Sequence, residues 1–278
     1  MPIPISSIAG HPLFLPAIAA YGNRLKNVYD ENQRLAANFA FHRRWLISMA
    51  ALSLYWQPGN NLTAGALIAR VGAFKIASPN TVRDLLDELA AYQFIRPDET
   101  RPGQRPRYWA PSDAVLAAMT AWFAANLQVL DVLDGGARAP RFLARPELLP
   151  VAQPLLAEYC IEDARWREPP ENVGLLLRST SGGLVMDQIM ILLGDKQCVD
   201  GRYHIPALDT RDMATKMIIS RTHLQRTVKK VVEAGCIGWL GKSFDSDMWV
   251  DAAYVKDYCG WQAVKFHYVD MAFEQALG

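Results

Sequence analysis

This chain has almost no excess charge. Lys and Arg number 29 and Asp and Glu 28, a formal net charge of +1. That excludes a polycation coating nucleic acid over its whole surface, so any anion-binding face must be local. Charged residues are 21% of the chain against 51% hydrophobic, which excludes a disordered, self-repelling polymer. Cysteine is scarce. Cys160, Cys198, Cys236 and Cys259 have no Cys-x-x-Cys spacing, and none lies beside a histidine at zinc-ligand spacing. Reduced thiols in a cytoplasmic protein are the expectation. His11, His42, His204, His223 and His267 form no His-Glu-x-x-His pair, and no Gly-x-Ser-x-Gly occurs. Gly241-Lys242-Ser243 has the end of a phosphate-loop motif, but Cys236 stands where that motif needs glycine. No enzyme, cofactor or metal is expected.

Long apolar runs are lacking too. Residues 1–16 have no basic start and are broken by Pro2, Pro4, Pro12 and Pro16, unlike a signal peptide. Residues 45–56 are too short to span a bilayer, which takes roughly 20 apolar residues. Residues 114–130 contain Thr120, Asn126 and Gln128 and are flanked by Asp113 and Asp131. Both read as helices buried in protein, with no membrane partner.

What the chain does have is a pattern written twice, at residues 78–95 and 220–237. Each copy opens on a serine suited to helix capping, Ser78 and Ser220. Each continues as an amphipathic helix. Val82, Leu85, Leu86 and Leu89 make one stripe; Leu224, Val228, Val231 and Val232 make the other. Each ends in an apolar pair that can open a strand, and Gly235 suits a left-handed stop. Short helices at 62–71 and 209–217 precede the capped ones. Strands at 94–95 and 108–109 enclose a proline-rich tip at 97–107; strands at 237–240 and 248–250 enclose a tip at 241–247. Residues 15–57 read as two helices or one bent helix, and residues 112–133 as a Ser112-capped helix. Residues 138–150 look irregular, and 154–167 helical. Residues 254–277 close the chain as helix with a break near Gly260.

The solvent faces of the two capped helices differ. Arg83 against Asp84, Asp87 and Glu88 gives −2; Arg221, Arg226, Lys229 and Lys230 against Glu233 gives +3. Dense phosphate charge favours the second. Ser220, Arg221, Thr222, Gln225, Arg226 and Lys229 are the expected DNA contacts, with Asn80 and Arg83 as weaker candidates in the first copy. The tips reverse the asymmetry. Arg96, Arg101, Arg105 and Arg107 against Asp98 and Glu99 give +2, and Lys242 against Asp245 and Asp247 gives −1. Arg101, Arg105 and Arg107 on a flexible hairpin would grip a minor groove or phosphates.

Over residues 62–109 and 208–250 the chain resembles the winged-helix transcription regulators of the multiple-antibiotic-resistance regulator (MarR) type. The first copy departs from that pattern by a four-residue insertion, Phe74-Lys75-Ile76-Ala77. The resemblance implies a mainly α fold with small β-hairpin wings: tandem winged helix-turn-helix lobes on a helical body. The expected division is 1–57 and 112–183 for that body, 58–111 and 184–251 for the lobes, and 252–278 for a closing helical region. The implied function is a sequence-specific transcription regulator of duplex DNA, acting as a monomeric pseudo-dimer or a homodimer. Its lobes would meet half-sites about one helical turn apart, ~34–36 Å. Two alternatives remain open: a plasmid-type replication initiator, and a protein–protein adaptor without DNA binding. Tyr21, Phe39, Phe41, Trp45, Tyr55, Trp56, Trp122 and Phe123 are core candidates, with a pocket for a small apolar or aromatic effector as the functional reading.

Overall fold

The computed structural model describes the backbone throughout and every side chain except those of residues 27–31 and 38. Helices α1 (Ile5–Ala9), α2 (Phe14–Glu31), α3 (Gln33–Phe39) and α4 (His42–Trp56) lead into α5 (Ala64–Ala73), α6 (Pro79–Ala91) and a hairpin of β1 (Ile95–Pro97) and β2 (Trp109–Pro111). Then come α7 (Asp113–Asp134), α8 (Arg138–Leu143), α9 (Leu149–Glu162), α10 (Ala164–Arg167) and α11 (Glu171–Leu177). The last third is α12 (Gly182–Leu193), β3 (Arg202–Ile205), α13 (Thr210–Lys216), α14 (Arg221–Glu233), β4 (Ile237–Trp239), β5 (Met248–Asp251) and α15 (Ala252–Leu277). The protein is mainly helical with small antiparallel sheets.

Helix α15 organises the body. It is apolar over most of its surface and buried on most faces between Tyr254 and Phe273, with Lys256 and Asp257 exposed. It packs on α9, α1 and α7, and α9 in turn packs on α4. The expected break near Gly260 is absent; α15 runs straight through it. Burial of the flanking Tyr258, Cys259, Trp261 and Gln262 outweighs the modest helix penalty of one glycine.

Two further expectations needed correction. Residues 15–57 form three helices, not one or two. Asn32 restarts the chain by accepting the Leu35 N–H at 3.1 Å. The supposedly irregular 138–150 segment holds α8, a 3-10 turn and the start of α9. Its prolines fall in first turns, where a missing N–H costs no helix bond.

Helix α7 is long and apolar enough to cross a membrane, by length and composition alone, and half of its most apolar window is buried in the protein. Its C-terminal turn is tied down by charge. Arg138 donates to Asp270 at 2.7 Å and to Asp134 at 2.8 and 2.7 Å, while Asp131 accepts the Arg138 and Ala139 amides at 2.7 and 2.9 Å. Asp270 is fully buried and also takes the Ile3 N–H at 2.8 Å. One guanidinium thus joins α7, α8 and α15.

Two stretches of the chain repeat one order of elements, a short helix, a long helix and a hairpin. In the second, the strands are ordered β3-β5-β4, all antiparallel. In the first, β1 pairs with β2, and the third strand is reduced to one bridge, Thr63 to Tyr108, beside a 2.9 Å bond from Trp109 N–H to the Leu62 carbonyl. In both units the segment before the short helix pairs with the final strand.

Candidate nucleic-acid interface

The same local rules build both helix pairs. The short helix ends in a left-handed residue, Lys75 at φ 54° or Ile218 at φ 55°. The next amide reaches back to close the turn. Ile76 N–H meets the Val71 carbonyl at 3.0 Å, and Ile219 N–H meets that of Ala214 at 3.1 Å. Serine then caps the long helix. Ser78 Oγ accepts the Thr81 N–H at 3.2 Å, and Ser220 Oγ that of His223 at 3.1 Å. Both long helices stop after the same interval, at left-handed Gln93 (φ 59°) and Gly235 (φ 72°). Superimposing the turns on Lys75 and Ile218 leaves Ala77 as the one extra residue. Counted from cap to cap the first copy is four residues longer, as expected (Thr63 to Ser78 against Asp209 to Ser220), but the extra length is not all in the turn at 74–77: three residues lengthen the short helix and Ala77 alone extends the turn.

Helix α14 is two-faced. Leu224, Thr227, Val228 and Val231 are buried, and the helix packs on α11 and α13. Ser220, Arg221, Thr222, Arg226, Lys229 and Lys230 are exposed, and Gln225 is half-buried. The Arg226 guanidinium lies 3.3 Å from His223 Nδ1, a link within the helix that keeps the charge outward. Every expected contact of the second copy therefore lies on one helix, and all but Gln225 are open to solvent.

Helix α6 presents a different surface. Val82, Leu85, Leu86 and Leu89 are buried as expected. Asn80 and Arg83 are exposed and bound to each other at 3.3 Å, next to exposed Asp84 and Asp87. Glu88 is engaged by Arg44 through two bonds of 3.0 and 2.7 Å, which fasten α6 to α4.

The first tip is braced rather than loose. Asp98 accepts from Thr100 at 2.7 and 2.9 Å and from the Asn60 amide at 2.7 Å, and these bonds hold its carboxyl below the usual range. Arg101 folds back to donate to the Gly59 carbonyl and lies 4.2 Å from the Tyr108 ring centroid. Arg107 lies over Trp109 at 5.4 Å, and Arg105 is exposed. Of the three arginines expected to grip DNA, Arg105 and Arg107 face solvent and Arg101 is turned inward. The second tip is a compact turn in which the Trp239 and Phe244 rings meet at 4.7 Å.

Between α2, α3, α4, α7, α12 and α15 lies a cavity of about 350 Å³. Of the aromatic residues expected at such a junction, Tyr21, Phe39, Trp45 and Trp122 line it. Phe123 instead stacks on Phe142 at 4.9 Å. Sequence reading missed Trp166, Tyr258, Trp261, Asp187 and Lys265 on the same walls. The available signal was a lone charge inside each apolar run, at 184–190 and 261–269.

His42 lines this cavity. Its ring is 5.4 Å from Trp166 and 5.1 Å from Trp261, and its Nε2–H donates to the Arg167 carbonyl at 3.2 Å. Burial pushes its pKa down to about 4, so the native state keeps it neutral where the unfolded chain protonates it. Between its ordinary value near 6.5 and about 4, the unfolded state binds more protons, so stability falls as pH falls. From pH ~7.5 to ~5 this site alone removes about 2 kcal/mol. Urea unfolding at the two pH values should show that loss in the wild type and little of it in His42→Gln; equal losses would refute the assignment.

The chain matches no family model, no curated protein and no solved structure.

Proposed function

We propose that this chain is a sequence-specific, duplex-DNA-binding transcription regulator whose main reading element is α14. Its two repeated units act as tandem winged helices on the helical body. The observation that carries this reading is the cationic face of α14, exposed from Ser220 to Lys230 while the opposite face is buried. A helix presented this way fits the major groove. Arginine and glutamine in its first turns can hydrogen-bond base edges, and the lysines behind them can meet phosphates. The antiparallel β4–β5 hairpin that follows α14 supports the reading of a wing there. In the first unit the roles shift. Exposed Asp84 and Asp87 disfavour α6 as a groove reader, and the tip with Arg105 and Arg107 takes the phosphate contacts.

Two winged units in one chain also suit a plasmid-type replication initiator, which would likewise bind duplex DNA but at repeated origin sequences. The acidic face of α6 favours the adaptor reading for the first unit alone. Selection of bound sequences from a random duplex pool tests the proposal. One enriched motif is expected, and a pool left unenriched would contradict it.

A further inference from the structure

A groove of about 500 Å³ lies between the start of α4, the turn of the first helix pair and the two flanks of α11. Its walls are unbalanced in charge. Arg43, Lys75, Arg167 and Arg178 stand against one carboxylate, Glu168, a net +3. Arg167 already meets Glu168 at 3.4 Å and donates to the Ile161 and Glu162 carbonyls at 2.7 and 2.9 Å. Three cations are left over. Arg43, Lys75 and Arg178 are exposed, and among the described residues none of them has a carboxylate partner.

The backbone fixes where each of the three stands. Lys75 is the left-handed residue of the first turn, and its N–H donates to the Gly72 carbonyl at 3.0 Å. Arg43 lies in the first turn of α4. Phe41 gives that helix no side-chain cap, so its positive end adds to the same field. Arg178 ends α11, which packs on α14. Three residues later Ser181 Oγ donates to the Met217 carbonyl at 3.3 Å, at the turn of the second helix pair. The groove therefore joins the turns that precede the two long capped helices.

The arrangement discriminates among anions. A compact anion is held best by donors that converge on it. Here the unpaired cations stand on three separate elements, and the half-buried guanidinium of Arg167 is committed elsewhere. Phe41, Leu46, Phe74 and Ile76 line the space without a polar side-chain atom to offer. Cations spread over several elements suit an extended row of phosphates, which is what a duplex presents.

We propose that this groove carries the phosphate backbone of duplex DNA between the two helix pairs. Arg43, Lys75 and Arg178 meet phosphates outside the motif read by α14, and they read no sequence themselves. Given the DNA-binding role proposed above, the interface extends from one helix to the face that joins both units.

Salt titration of the full chain tests the groove on two duplexes. One is the selected motif alone; the other is the motif extended, at each end in turn, by one helical turn of arbitrary sequence, about 10 bp. The motif alone should give the slope set by α14. Extension at one of the two ends should steepen the slope of log K against log salt by at least ~2.7, from three phosphates at ~0.9 each, whatever the added sequence. The triple variant Arg43→Gln, Lys75→Gln, Arg178→Gln should lose about 2.7 of that steepening and bind the motif alone as the wild type does. Its fold is not at stake: the three side chains are exposed, and Gln93 already adopts the left-handed conformation that Lys75 holds. Matching circular dichroism checks this. A slope unchanged by extension at either end, a steepening that the triple variant keeps in full, or one that depends on the added sequence would each overturn the groove and leave the α14 reading standing. Failure to bind either duplex would overturn both.

Discussion

Replacing Arg221 and Arg226 together by alanine weakens binding to a selected duplex by roughly a hundredfold. The figure follows from about 1–3 kcal/mol for each arginine that meets a base edge. Both side chains are exposed, and the loss includes one contact, of 3.3 Å between Arg226 and His223, so the fold is not at stake. Matching circular dichroism and thermal unfolding of the variant establish that. The comparison that gives the experiment its force is Arg83→Ala in α6. Arg83 is equally exposed, but it bonds Asn80 and shares its face with Asp84 and Asp87. Its loss should change affinity by less than about threefold, under 1 kcal/mol. Equal effects at the two helices would mean that both read DNA, and no effect at Arg221 and Arg226 would remove α14 from the interface.

Substituting Arg138 by methionine costs about 3–5 kcal/mol of stability, because it strands a buried carboxylate. Asp270 is fully buried and receives its 2.7 Å bond from Arg138. Without the guanidinium, that charge keeps the Ile3 amide at 2.8 Å and no cation. The Arg138 side-chain bonds to Asp134 and Asp131 are lost as well, while the backbone amides of residues 138 and 139 still hold the Asp131 carboxylate. The double variant Arg138→Met with Asp270→Leu should recover most of the loss, since removing both charges leaves nothing unpaired. Chemical denaturation of the single and double variants decides it. A single variant within about 1 kcal/mol of the wild type would show that the network is decorative.

The repeat was legible because its signals are local. A capping serine, an apolar stripe and a stop residue lie within 18 positions, and each acts on its own helix. Ser78 and Ser220 cap as expected, and Gly235 takes the left-handed stop. Its counterpart Gln93 adopts the same conformation without the glycine that would announce it. The left-handed turns at Lys75 and Ile218 were hidden for the same reason, and the four extra residues of the first copy were placed in the turn when three of them belong to the short helix. Residues 138–150 were misjudged because prolines were weighed by number rather than by place in the first turn. The cavity was read only in part: Tyr21, Phe39, Trp45 and Trp122 were named for such a junction and line it, but its charged residues were not. Lys265 and Asp187 belong to helices far apart in sequence, and tertiary packing alone makes them neighbours. Within one helix a lone lysine among apolar residues carries no indication of what it faces.

The central claim is that the outward face of α14 docks on duplex DNA through charge. The direct measurement is the affinity of the wild-type chain for its selected duplex as a function of salt. Four cationic side chains on that face, if each displaces one phosphate counterion, give a slope of log K against log salt near −3.6, from ~0.9 per phosphate. A slope of about −3 to −5, reduced by about two in the Arg221→Ala, Arg226→Ala double variant, is the predicted result. Binding that is absent at low salt, or indifferent to salt, would contradict it.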